Sequence, residues 1–104
     1  VQLIKISAVC GMGLGSGLLV KMGIDKVLEN NGFKSRDDFL VEVADISTAR
    51  GMAADIYVTT SEFTERLGDI KAEIITVKNL FDKKEIEEKL LDTFKKVFNE
   101  KKKK

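Results

Sequence analysis

Gln2-Leu3-Ile4-Lys5-Ile6-Ser7-Ala8-Val9-Cys10-Gly11-Met12-Gly13-Leu14-Gly15-Ser16-Gly17 changes character at Cys10. Up to Val9 the segment alternates and then turns apolar, is rich in β-branched residues and stops at a glycine. That pattern predicts a buried strand over Gln2 to Val9. Beyond Cys10 every second residue is glycine, four in the seven positions 11–17. A helical pattern then runs from Ser16 to Asn31. Its apolar stripe is Leu18, Leu19, Met22, Ile24, Val27 and Leu28, with Lys21, Asp25, Lys26 and Glu29 off it. Asn31-Gly32 is a suitable C-terminal stop. Strand, glycine turn and helix together form the opening unit of an α/β fold.

Working outward, Phe39 to Val43 reads as a second strand and Ile46 to Ala54 as a short helix with Ile46, Ala49 and Met52 inward. A third strand covers Ile56 to Thr59, a turn of helix Glu62 to Leu67, and a fourth strand Glu73 to Val77. Asp82 to Asn99 is the clearest helix, with Ile86, Leu90, Leu91, Phe94, Val97 and Phe98 on one face. Asp82 can cap it, with Glu85 three residues on as in a capping box. The alternation predicts a four-stranded parallel sheet, order 2-1-3-4, with helices on both faces. In such sheets the ligand sits beyond the carboxyl ends of the strands where their order reverses. Here that point lies between strands 1 and 3, where Cys10 leaves strand 1. Thr59-Thr60-Ser61, at the end of strand 3, either face that point or simply form the turn.

The chain has 104 residues, 43% hydrophobic and 34% charged, which suits one soluble globular domain. No apolar run approaches the roughly 18 residues of a bilayer span, and the expected location is the cytoplasm. Net charge is +1; without Lys101 to Lys104, 14 basic residues face 17 acidic ones, a balance of −3. The basic character thus belongs to the lysine tail, residues 101–104, expected to be a frayed end. No basic cluster of the kind nucleic acids require is apparent. Histidine is absent and Cys10 is the only cysteine. That removes a histidine base, a Cys-His pair and a histidine phosphocarrier, and no metal site or cofactor is expected.

Glycines spaced as Gly11, Gly13, Gly15 and Gly17 are costly in backbone entropy. They make a tight turn or bring backbone N–H groups close to an anion, helped by the positive end of the following helix. Ser16 can cap that helix or offer its hydroxyl. The same field lowers the pKa of a neighbouring thiol, favouring the Cys10 thiolate. A lone cysteine after an apolar strand is otherwise an ordinary small core residue. Other phosphate motifs fail. A Walker A loop needs Gly-Lys-Ser/Thr, and no lysine lies between Cys10 and Val20. A dinucleotide loop counted from Gly11 and Gly13 places Ser16 at its third glycine, and from Gly13 and Gly15 Leu18. Cysteine-dependent phosphatases carry an arginine six positions past the cysteine, where this chain has Ser16. With no proline in the chain it also lacks their usual Asp-Pro acid loop.

Cys10-Gly11-Met12-Gly13-Leu14-Gly15-Ser16 at the end of a first strand resembles the enzyme IIB component of the bacterial sugar phosphotransferase system (PTS), ascorbate and galactitol types, and the ascorbate-specific branch most of all. Met22 on the following helix and Val77-Lys78-Asn79 before the last helix add to the likeness. The loop departs from the ascorbate pattern at Met12 and Gly17, where that branch often carries a polar residue and a second serine. The resemblance implies a single IIB domain over residues 1–100, with a Rossmann-like fold shared with low-molecular-weight phosphatases. It implies that Cys10 accepts a phosphoryl group from the phosphohistidine of a IIA partner. It then passes the group to sugar bound in the membrane IIC permease, with L-ascorbate the expected sugar and association with the membrane through IIC. Gly11, Met12, Gly13, Leu14, Gly15, Ser16 and Gly17 would hold the phosphate. Met12 and Leu14 either dock against IIA or pack within the loop. The alternative is a cysteine-dependent low-molecular-weight phosphatase or arsenate-reductase-like hydrolase, and a third reading is an anion-binding regulator.

Overall fold

A computed structural model of the protein describes residues 3–9, 14–34, 36–51, 54–68 and 72–102. Eight elements follow one another among them: β1 (Ile4–Val9), α1 (Leu14–Asn30), β2 (Phe39–Ala44), α2 (Ile46–Gly51), β3 (Ile56–Thr59), α3 (Ser61–Leu67), β4 (Glu73–Thr76) and α4 (Lys83–Lys102). The strands form one parallel sheet in the order β2-β1-β3-β4, as the alternation of elements predicts.

Each strand sends alternate residues to opposite faces, and the register sorts them into two cores. Val41, Ile6 and Ile56 lie in one row across the sheet, and Val43, Ala8, Val58 and Ile75 in the next. The face they share, with Ile4 and Phe39, packs against Val20, Ile24, Val27 and Leu28 of α1 and Ile86, Leu90, Phe94 and Val97 of α4. On the other face Val9, Ala44 and Tyr57 meet Ala49 of α2 and Leu67 of α3. The Tyr57 hydroxyl donates to the Ala49 carbonyl at 3.1 Å, so this buried phenol has a partner and ties α2 to β3. Ala49 is inward as expected. The Ile46 side chain and Met52, expected beside it, lie outside the described residues.

Helix ends follow their sequence signals. Gly32 has φ 93°, a left-handed conformation that glycine adopts without penalty. Its N–H donates to Glu29 O (3.2 Å) and the Phe33 N–H to Leu28 O (3.1 Å), the paired bonds of a Schellman stop. Phe33 then packs edge-on to Phe94, ring centroids 4.5 Å apart. At the start of α4, Asp82 Oδ1 accepts from the N–H groups of Lys84 (3.1 Å) and Glu85 (3.3 Å). The helix continues to Lys102, so Lys101 and Lys102 extend it where a frayed tail was expected; Lys103 and Lys104 lie outside the described residues.

The apolar stripe expected for α1 is corrected. The stripe that α1 buries is Val20, Ile24, Val27 and Leu28, whereas Leu18, Leu19 and Met22 are exposed by 58%, 60% and 57%. At about 100° per residue these three fall on the opposite arc of the helix. Phe81, just before α4, is also exposed, by 49%.

Candidate functional site

A parallel sheet gathers the carboxyl ends of its strands at one edge, and the loops leaving them form the site. β1 ends at Val9 and α1 begins at Leu14, so Cys10, Gly11, Met12 and Gly13 are the whole connection between them. These four predicted site residues lie outside the described residues. Leu14, Gly15, Ser16 and Gly17 are the first four residues of α1, described as backbone only. The predicted phosphate loop therefore divides into a four-residue link and the first turn of a helix. That turn contains no acidic residue. The first four N–H groups of a helix lack intrahelical partners, and no carboxylate in this turn offsets the positive end of the dipole. The start of α4 differs, since Asp82 and Glu85 supply carboxylates there.

β1 and β3 are neighbours in the sheet, and the order runs outward from them in both directions. Thr59, buried at the end of β3, donates its Oγ1 to the Val9 carbonyl at 3.3 Å. This bond spans the switch point at the last residue before Cys10. Thr60 follows Thr59 as Cys10 follows Val9. It stands at the cap position of α3 with φ −100° and ψ 167°, yet its hydroxyl makes no capping bond. Its Oγ1 is buried and has no hydrogen-bond partner among the described residues. The cap bonds are made instead to its carbonyl, by the N–H groups of Phe63 (3.0 Å) and Thr64 (3.2 Å) and the Thr64 hydroxyl (3.1 Å). Ser61, the third of the hydroxyl run, is exposed in the first turn of α3.

The loop after β4 borders the same edge. The Val77 N–H donates to Thr59 O at 2.8 Å, which continues the sheet past its last assigned strand residue. Glu85 does not fold back on Asp82 as a capping box would. Its two oxygens accept the N–H groups of Lys78 (2.8 Å) and Asn79 (3.1 Å), and Lys89 Nζ lies 3.0 Å away. The Lys78 N–H, with Lys89 and the Asn79 N–H, holds the Glu85 carboxyl below its ordinary pKa against the opposing pull of desolvation. This carboxylate thus pins the loop carrying Leu80 and Phe81, a role that the spacing Asp82–Glu85 disguised as a cap. Among the described residues no group of acidic residues is placed to hold a metal ion, and no helix is long and apolar enough to cross a membrane.

The arrangement is a thiol in a short link between a central parallel strand and an uncompensated helix N-terminus. Comparison with known proteins gives the family. The family model of the PTS system lactose/cellobiose-specific IIB subunit matches residues 5–92. An ascorbate-specific PTS system EIIB component from Mycoplasma pneumoniae is 31% identical over 90 residues, which are 84% of this chain and 90% of that protein. The two differ in the sugar they name and agree on the component. From the order of its strands to the span of its likeness, this chain belongs to the IIB family of the sugar phosphotransferase system.

Proposed function

We propose that the protein is a phosphocarrier in which Cys10 accepts a phosphoryl group from the phosphohistidine of a IIA protein and delivers it to sugar held by a IIC permease. The observation that carries this reading is the position of Cys10. It is the first residue after β1 at the switch point, and four residues later begins a helix without acidic residues in its first turn. A phosphoryl group there would meet free N–H donors, with Gly11 to Gly17 as the holding segment. In the first step the Cys10 sulfur attacks phosphorus, the S–P bond forms and the N–P bond of the donor breaks. The thiol proton ends on the released imidazole. In the second step a sugar hydroxyl attacks, the O–P bond forms, the S–P bond breaks, and the hydroxyl proton returns to the leaving Cys10 thiolate. Because the chain has no histidine, the histidine of the first step must come from the partner.

The likeness to the ascorbate-specific component supports L-ascorbate as the sugar. The test is production of sugar phosphate by IIC-containing vesicles supplied with phosphorylated IIA of the ascorbate type and this protein. Ascorbate phosphate should form with the wild-type chain and not with Cys10→Ala. Equal product with both would overturn the reading, and product from cellobiose or lactose alone would move the sugar. Sustained hydrolysis of an aryl phosphate, lost in Cys10→Ser, would favour the hydrolase instead.

A further inference from the structure

The large apolar side chains that stand exposed among the described residues are Leu18, Leu19, Met22 and Phe81. Three of them, Leu19, Met22 and Phe81, come from two segments distant in sequence and meet at one place. Leu19, Met22, Gly23 and Lys26 of α1 and Leu80, Phe81 and Lys83 beyond β4 line a groove of about 240 Å³. Lys83 lies across α1, its Cγ and Cε 3.8 and 3.9 Å from where a Cβ on Gly23 would stand. Lys26 and Lys83 continue into an adjoining depression that also takes in Lys84 and Glu87. Among the described residues Lys26, Lys83 and Lys84 have no ion-pair partner, whereas Glu87 accepts from Asn31 Nδ2 (3.1 Å) and Lys21 is paired with Asp25 (3.1 Å). The result is an apolar groove whose rim carries three lysines against the one carboxylate of Glu87.

Its size and location narrow the occupant. The groove is smaller than the roughly 300–1,000 Å³ of small-molecule sites, but it accommodates an apolar side chain inserted from another protein. Leu19 and Met22 of the groove lie about 8 and 12 Å along the helix from Leu14 at 1.5 Å per residue. A partner footprint of about 800 Å² is roughly 28 Å across. One partner can therefore cover the groove and the start of α1 together. The lysine rim favours an acidic face, and a phosphoryl group adds roughly two negative charges to a donor. Cytoplasmic loops of membrane proteins carry an excess of lysine and arginine, which the rim would repel. We infer that the groove between α1 and the Leu80–Lys83 segment is the docking face for the phosphorylated IIA donor, which presents an apolar side chain within an acidic surface. This inference rests on the phosphocarrier reading and assigns the partner's footprint on it.

The experiment follows the rate of phosphate adduct formation on the full chain by intact mass, against the concentration of phosphorylated IIA protein of the ascorbate type. Two variants alter the groove, Met22→Glu and the double Lys26→Glu, Lys83→Glu. Lys95→Glu makes half the charge change of the double variant about 18 Å farther along α4 from Lys83. All substituted side chains are exposed, so folding, checked by circular dichroism, should persist. In both groove variants the donor concentration giving half-maximal rate should rise about tenfold or more with the maximal rate unchanged, as expected when docking alone is weakened. The Lys95 variant should match wild type. Added salt should slow the wild type and speed the charge-reversed variant, whose repulsion from the acidic donor it screens. Rates within about twofold of wild type for both groove variants would overturn the inference while leaving the carrier intact. So would normal adduct formation with a defect only in delivery to IIC vesicles, which would assign the face to the permease. No adduct on the wild type would refute the carrier reading itself, and the docking face with it.

Discussion

Thr60→Val removes a hydroxyl whose environment argues against its being there. The Thr60 Oγ1 is buried and has no partner among the described residues. Leaving such a group unsatisfied costs about 1–3 kcal/mol. Valine keeps the β-branched shape that suits φ −100° and ψ 167° and replaces the hydroxyl by a methyl. Two rules then oppose each other. The general rule for helix caps predicts that losing a cap threonine costs about 1 kcal/mol. Here, however, the bonds to Phe63 and Thr64 come from the Thr60 carbonyl, which valine retains. The desolvation penalty therefore decides the sign, and the variant should be more stable by about 1 kcal/mol. For a domain of this size that raises Tm by about 4–8 °C, readily measured by thermal denaturation with circular dichroism. A Tm lowered by a comparable amount would refute the reasoning, because it would mean that the hydroxyl has a partner in solution. If the hydroxyl is retained for the phosphate, the same stabilised variant should accept phosphate on Cys10 more slowly than wild type, an exchange of stability for function seen at many sites.

The other perturbations test the frame around the site. Gly32→Ala forces a side chain into φ 93° with open space around it, so the backbone term alone should cost about 1–2 kcal/mol, read from urea melts. Phe94→Ala empties the centre of the α1–α4 core, where Phe33, Phe39 and Phe98 all contact the ring, and should cost about 3–5 kcal/mol in the same melts. Glu85→Gln should lower Tm at neutral pH by loosening the loop that holds Phe81. Because the Glu85 pKa is depressed in the folded protein, its contribution is complete above the ordinary carboxylate pKa of about 4.3. It is lost as pH falls through the folded value. The Tm gap between wild type and Glu85→Gln should therefore close on acidification, and a gap that stays constant down to pH 2–3 would contradict the role given to this carboxylate.

Much of this was legible in the sequence because local and global signals agree. Ile4-Lys5-Ile6 and Ile56 to Thr59 are β-branched runs of strand length, and Asn31-Gly32 and Asp82 carry their helix-end chemistry in their side chains. The position of Cys10 followed from the strand end and the glycines together. Helix α1 was less legible because it has more apolar residues than one face can bury. Leu18, Leu19 and Met22 compete with Val20, Ile24, Val27 and Leu28, and only the packing against α4 and the sheet decides which set goes inward. That surplus was itself the available sign of a docking face. Phe81 gave no such sign, since a phenylalanine before a helix reads as core until the loop is placed. Glu85 was misleading for a related reason. A carboxylate three residues beyond a cap matches the capping box, and its reach to Lys78 and Asn79 depends on how the chain returns from β4. Thr60, likewise, looks like a helix cap in sequence, and only the fold reveals a hydroxyl with no partner among the described residues.

The most direct test of the account is the intact mass of the protein after incubation with phosphorylated IIA protein. The account predicts one added phosphoryl group on the wild type, with the lability of a thiophosphate ester, removed when a sugar-loaded IIC permease is supplied and absent in Cys10→Ala and Cys10→Ser. An adduct that survives in Cys10→Ala, or a wild-type chain that gains no phosphate from a competent donor, would contradict the claim that this cysteine carries the phosphoryl group.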